Sequence, residues 1–286
     1  MKLKNNYVII TVVAVLVIII AAYAGVTQYS QSNDITIEGS TSVYPVATAL
    51  AKAYMEKHPN VQIDVQGGDS EAGINNVKAG KVDIGMSSRN LSSTESQDLS
   101  QYRIGKDPVA VIVNPVNPVN TITTNELKDI YTGKTTNWEA LGGNNIQITP
   151  VIREKGSGTR YDFEQYIMDG DEYAKNIVVT TSTYGALQTV AVSPDTIGYV
   201  SNNALSSDVK TLKINNVTLN QENVENGSYN LTRSMLFLVK GSATGEIKDF
   251  IDFSLSTEGQ NIINSVEYGS QSNNTNTGIG IGPVGG

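Results

Sequence analysis

The feature that most constrains this chain is alternation. From Ile35 onward, short apolar strand patterns take turns with segments of helical spacing. Residues 35–38 and the alternating Val61, Ile63 and Val65 read as strands. Between them, 43–57 places Val46, Leu50, Ala53 and Tyr54 at helical intervals. A helix over 72–79, closed by Gly80, leads to a strand at 82–86. Residues 109–113 are wholly apolar, as in strands covered on both faces. The pattern then repeats: helix 125–131, strand 148–152, helices 159–168 and 184–192, strand 197–200. Strand 235–239 and helices around 245–254 and 257–265 follow. Such a succession predicts an α/β fold with mostly parallel sheets.

The chain has 286 residues, enough for two lobes of that kind. Asn114-Pro115 and Asn117-Pro118 follow the apolar strand and mark a crossover, and a return is expected near 229–233. The expected division is lobe 1 over 31–113 and 234–268, and lobe 2 over 114–233. The Gly/Ser/Asn/Thr-rich stretch 269–286 reads as a disordered tail. At the other end, Lys2 and Lys4 precede an almost unbroken apolar run over 7–26. Its length matches the roughly 20 residues of a membrane-spanning helix. Residues 1–30 are therefore expected to be a transmembrane anchor, with a cleaved secretion signal ending near Ala22 or Ala24 as the alternative. Lysines on the short side place that side in the cytoplasm and the rest of the chain outside the cell membrane.

Composition removes several functions. The formal net charge is −8 and no basic stripe is present, so nucleic acid is not an expected partner. There is no cysteine, hence no disulfide, thiolate site or lipid-bearing cysteine. The single histidine, His58, precedes Pro59 at an expected helix end and reads as a surface helix stop. Ser/His and two-His zinc arrangements are hard to build from it. No nucleophile–base pair or metal-ligand cluster is visible, so neither enzyme activity nor a cofactor is expected.

Three polar, glycine-containing segments lie where a strand gives way to a helix. They are Gly39-Ser40-Thr41-Ser42, Gly67-Gly68-Asp69-Ser70-Glu71-Ala72-Gly73 and Gly156-Ser157-Gly158-Thr159. In open α/β sheets ligands bind beyond the carboxyl ends of strands. Helix N-termini there present free N–H groups, and Ser and Thr add hydroxyls. Each Ser or Thr alone is an ordinary N-cap. Three together, with Arg153 before the last and Arg160 after it, point to a small oxyanion held by charge-assisted hydrogen bonds. None of the segments carries the Gly-Lys-Ser/Thr of a nucleotide P-loop.

The run Arg153-Glu154-Lys155-Gly156-Ser157-Gly158-Thr159 resembles the Arg-x-x-Gly-Ser-Gly-Thr signature of phosphate-binding proteins of phosphate ABC transporters. The segment 126–138, Gly39-Ser40-Thr41-Ser42-Val43-Tyr44-Pro45 and Ile197-Gly198-Tyr199-Val200 are similar to further segments of that family. The resemblance implies a two-lobed, periplasmic-binding-protein-like (type II) fold that closes on inorganic phosphate and delivers it to permease subunits. It implies phosphate contacts from Arg153, Ser157, Gly158 and Thr159 on one lobe. From the other lobe it implies Ser70, with the turn Ser40, Thr41, Ser42, Val43 and Tyr44. Well-known members place an aspartate after the strand at 82–85 to accept the phosphate proton, and Ser88 stands at that position here. Asp69 and Glu71 are the carboxylates that could replace it. Another tetrahedral oxyanion (sulfate, molybdate or tungstate), or phosphate sensing on the same fold, is the alternative.

Overall fold

The computed structural model describes residues 33–272. The expected anchor over 1–30 and most of the expected tail lie outside these residues. Among the described residues no helix is long and apolar enough to cross a membrane. The first lobe opens with β1 (Asn33–Ser40), α1 (Tyr44–Lys57), β2 (Val61–Gly68), α2 (Ser70–Lys78) and β3 (Ile84–Ser87). The long β4 (Leu99–Val113) carries the chain into the second lobe. That lobe holds β5 (Thr121–Ile122), α3 (Thr124–Tyr131), β6 (Thr149–Arg153), α4 (Gly158–Phe163) and β7 (Val178–Thr180). It continues with α5 (Thr183–Val192), β8 (Thr196–Ser201), β9 (Lys210–Thr211), β10 (Lys213–Ile214) and α6 (Gln221–Glu225). The chain returns through β11 (Thr232–Lys240) and ends in α7 (Gly245–Leu255) and α8 (Thr257–Ser272). The first four residues assigned to the tail are thus the last turn of α8.

The main sheet runs β2-β1-β3-β11-β4-β8-β6-β7, with β9 also on β4. It is mixed, not mostly parallel. The helix-connected strands are parallel, β1 with β2 and β3, and β6 with β7 and β8. The two strands that pass between lobes run against their neighbours: β11 is antiparallel to β3 and β4, and β4 to β8 and β9. Helical crossovers produce parallel pairs, whereas a strand that leaves one lobe and pairs with its returning partner is antiparallel to it.

Two hydrophobic clusters define the lobes. One gathers Ile35, Leu50, Tyr54, Ile104, Met235 and Phe250 among others, and the second Val109, Tyr131, Trp138, Phe163, Tyr199 and Leu231. The boundary expected after residue 113 is therefore displaced. Residues 109–113 pack in the second lobe, and the division falls between Ile104 and Val109 on β4 and between Leu231 and Met235 on β11. The first half of β4, Leu99–Asp107, escaped an apolar-run criterion because it alternates buried and exposed positions and carries Arg103 and Lys106. At the crossing point Asp107 and Arg233 form a fully buried ion pair, Nε and Nη2 donating to Oδ2 at 2.9 and 2.5 Å. Ser201 Oγ donates to Asp107 Oδ1 at 2.6 Å, which ties β8 to the same pair.

Candidate functional site

The polar turns lie at the carboxyl ends of β1, β2 and β3 in one lobe and of β6 and β7 in the other. At the starts of α2, α4 and α5 one residue caps and a nearby hydroxyl is spared. Asp69 caps α2, accepting from Ala72 N–H at 2.7 Å, which spares Ser70. Ser157 caps α4 and spares Thr159; Ser182 caps α5 and spares Thr183. The N-cap of α1 is Val43, which has no capping side chain. The turn instead closes by Val43 N–H to Ser40 O at 3.0 Å, so the hydroxyls of Ser40, Thr41 and Ser42 are not consumed as helix caps. The ordinary-cap reading thus holds for Ser157; Asp69 and Ser182 cap their own helices in the same way, and the nearby hydroxyls of Ser70, Thr159 and Thr183 are not used as caps.

These hydroxyls converge from both lobes. Ser40 Oγ donates to Ser88 Oγ at 2.9 Å, and Ser88 N–H donates to Ser70 Oγ at 3.1 Å. Across the cleft, Ser42 Oγ lies 3.1 Å from Thr159 Oγ1 and 3.0 Å from Thr183 Oγ1. Arg153, 2% exposed, donates from Nη1 to Thr183 Oγ1 at 2.9 Å and from Nη2 to Thr41 Oγ1 at 3.3 Å. Its Nε and Nη2 also grip Glu154 at 2.9 and 2.6 Å. Gly158 is packed so closely that an added Cβ would meet Ser88 Oγ at 2.4 Å and Ser70 Oγ at 2.6 Å. An added Cβ at Gly156 would meet the Asp69 carboxylate at 2.6 Å.

The expected residues are therefore distributed as follows. Ser40, Thr41, Ser42, Ser70, Ser88, Arg153 and Thr159 join one buried network, with Gly158 against it. Ser157 is buried beside it as a cap. The Val43 side chain belongs to the first lobe's core. That of Tyr44 is exposed at the start of α1. Thr183 was not anticipated, although the strand–Ser–Thr–helix order at 178–183 repeats the pattern of the other turns. Arg160 turns away, bonding Glu164 at 2.7 Å and Arg153 O at 3.1 Å. Arg89, next to Ser88, is buried: Glu95 holds it at 2.9 and 2.6 Å, and it lies over the Tyr161 ring of the other lobe. That ion pair holds the Glu95 carboxyl down at about 2. Tyr199 supports the site from below, accepting from Arg153 N–H at 3.4 Å and stacking on Phe163 at 4.1 Å.

A buried guanidinium ringed by hydroxyls can bind an oxyanion, each hydroxyl donating or accepting as the ligand requires. His58 stacks on Tyr54 at 4.0 Å, at the far end of α1. Among the described residues no His/Asp/Glu group is arranged to hold a metal ion. Asp69 is occupied as a cap and Glu71 is exposed in the first turn of α2, so the structure gives neither a hydrogen bond to the hydroxyl network.

Fold and site together define a two-lobed binding protein of the periplasmic-binding-protein class, and residues 25–258 match the PBP superfamily domain. The phosphate-binding protein PstS of Bacillus subtilis (strain 168) is 34% identical over 266 residues, 87% of this chain and 88% of that one. A Clostridium perfringens chain described as a phosphate ABC transporter substrate-binding protein, solved with bound phosphate, is 40% identical, with a TM-score of 0.79. The match covers 82% of this chain and 98% of that chain. An ABC-type phosphate transport receptor from Vibrio cholerae is 34% identical, with a TM-score of 0.69 over the same two shares. The chain belongs to the PstS family of phosphate-binding proteins.

Proposed function

We propose that this protein captures inorganic phosphate outside the cytoplasm and hands it to the permease subunits of an ABC importer. The observation that carries the proposal is the buried network in which Arg153 and Thr159 of one lobe meet Thr41 and Ser42 of the other, directly or through Thr183. The phosphate-binding set is Ser40, Thr41, Ser42, Ser70, Ser88, Arg153, Gly158, Thr159 and Thr183, with Ser157 and the backbone at Val43 and Tyr44 shaping their turns. The lobes close as two bodies hinged where β4 and β11 cross, a usual response of solute-binding proteins. The apolar run over 7–26 supports attachment to the cell membrane at the N-terminal end.

Calorimetric titration with phosphate, with sulfate as competitor, tests this function. Phosphate is expected to bind tightly and to outcompete sulfate. Ser88, which stands in the sequence at the position of the family's aspartate, accepts a hydrogen bond from Ser40 at Oγ and can accept one from the ligand. Equal affinities would make the site a general oxyanion binder, and no phosphate binding would refute the proposal.

Closure itself makes a sharper demand. Gly158→Ala is expected to fold normally but to lose phosphate affinity by about 1–3 kcal/mol, because the new methyl must displace Ser70 and Ser88 across the cleft. Solution scattering should then show the same radius with and without phosphate for Gly158→Ala, and a smaller liganded radius for the parent. A variant that contracts like the parent would contradict the closed packing.

A further inference from the structure

We infer that Asn203 and Glu267 form a clamp across the lobes that holds the Ser40–Tyr44 turn in its anion-receiving position, and that the clamp works by carrying one proton. Asn203 lies in the helical turn Asn202–Ala204 that follows β8 in the second lobe. Its Nδ2 donates one hydrogen to Ser42 O at 2.9 Å and the other to Glu267 Oε1 at 2.7 Å. Glu267 belongs to α8, which is anchored in the first lobe's core through Ile263. The amide thus links the second lobe to the turn that presents Ser40, Thr41 and Ser42.

The proton follows from what is left over. Asn203 Oδ1 and Glu267 Oε2 are both buried, and neither has a hydrogen-bond partner. An amide and an ionised carboxylate share one N–H bond and leave two acceptors bare, which a buried site tolerates poorly. An amide and a carboxylic acid share two bonds, the second from the acid O–H to the amide oxygen. One proton on Glu267 therefore satisfies both orphans.

The groups facing Glu267 agree with this. Burial, then the negative charge of Asp107 on β4, raise its carboxyl well above the ordinary carboxylate range, against the Asn203 bond and the charge of Arg233 on β11. Tyr268 is its neighbour on α8. Lys57 of α1 is engaged with Glu258, further along the helix. Asp162 of α4 feels the same Asp107–Arg233 pair. A carboxyl whose value is raised in the closed form binds its proton more tightly there. Closure is then fully supported at low pH and loses that support as pH climbs through the raised value.

The clamp rests on the proposed closure around phosphate, and the two fail separately. The infrared difference between parent and Glu267→Gln, each saturated with phosphate at neutral pH so that the lobes are closed, should show a protonated carboxyl band that the variant lacks. Ionised-carboxylate bands in its place would overturn the assignment. Phosphate titrations then follow from mildly acidic to alkaline pH. Asn203→Ala is expected to bind roughly tenfold more weakly, and unchanged affinity would overturn the grip on Ser42. Glu267→Gln, whose amide can donate where the acid did, should match the parent at acidic pH and exceed it at alkaline pH. The ratio of the two cancels the titration of phosphate and of Asp162, so a ratio constant across pH overturns the proton dependence. A parent that binds no phosphate would refute the proposed function, whereas a parent that binds it without showing the carboxyl band would overturn only the proton assignment.

Discussion

Arg153→Ala is expected to weaken phosphate binding by about 2–5 kcal/mol in a protein that still folds. Two effects add. The cation that would meet the phosphate charge is lost, together with donors to Thr183 and Thr41. Glu154, whose side chain is 18% exposed and which Arg153 grips by two bonds, becomes an unpaired carboxylate beside the anion. Calorimetry of Arg153→Ala, alone and combined with Glu154→Gln, separates them: the second change should recover part of the loss. Arg153→Lys should fall in between, because an ammonium cannot reproduce the planar fork that serves Glu154 and two threonines together. Thermal melts of the variants check that folding is intact, and parent-like affinity in a folded Arg153→Ala protein would move the site elsewhere.

The second large effect is on stability. Asp107→Ala is expected to destabilise the fold by about 3–5 kcal/mol, since breaking a buried ion pair strands the remaining charge. Arg233 has 1% side-chain exposure and its Nη1 already lacks a partner, so it has no solvent to turn to. Ser201 loses its acceptor at the same time. The pH dependence should change as well. Burial pushes the Asp162 carboxyl up to about 7, with Asp107's charge adding to the rise and those of Arg233 and Arg89 opposing it. The folded protein therefore holds a proton that the unfolded chain releases, and this group erodes stability as pH rises from the ordinary carboxylate range to about 7. Without Asp107 the Asp162 carboxyl ionises more readily beside Arg233, and that erosion should shrink. Denaturant unfolding of parent and variant at mildly acidic and mildly alkaline pH measures both effects. A loss below about 1 kcal/mol, the scale of an exposed pair, would mean that the crossing is held by something else.

Much of the architecture was legible because the signals are local. Strand and helix periods, glycines after helices and Ser/Thr at helix starts each depend on a few neighbouring residues. They located β1, α1, β2, β6 and β8 and put hydroxyl-rich turns at strand ends. Arg153 and Thr159 could be singled out because they sit in one short run with Gly156 and Gly158. The charged first half of β4 could not, since its exposure on one face depends on pairing with β11, far away in the chain.

The sequence by itself determined the α/β order and the supply of hydroxyl and guanidinium groups for an oxyanion. Residue type and short-range spacing are enough for those. The tertiary structure decided which groups are spent and which are free. Arg160, Arg89 and Arg153 each pair with a glutamate, and of the three it is Arg153 that also donates to the hydroxyls of Thr183 and Thr41. Asp69 is taken up as a helix cap. Thr183 becomes a bridge between Arg153 and Ser42. The mixed sheet, the hinge pair Asp107–Arg233 and the Asn203–Glu267 contact join residues dozens of positions apart. Such pairings are set by how two lobes pack around two crossing strands, and no local pattern carries that information.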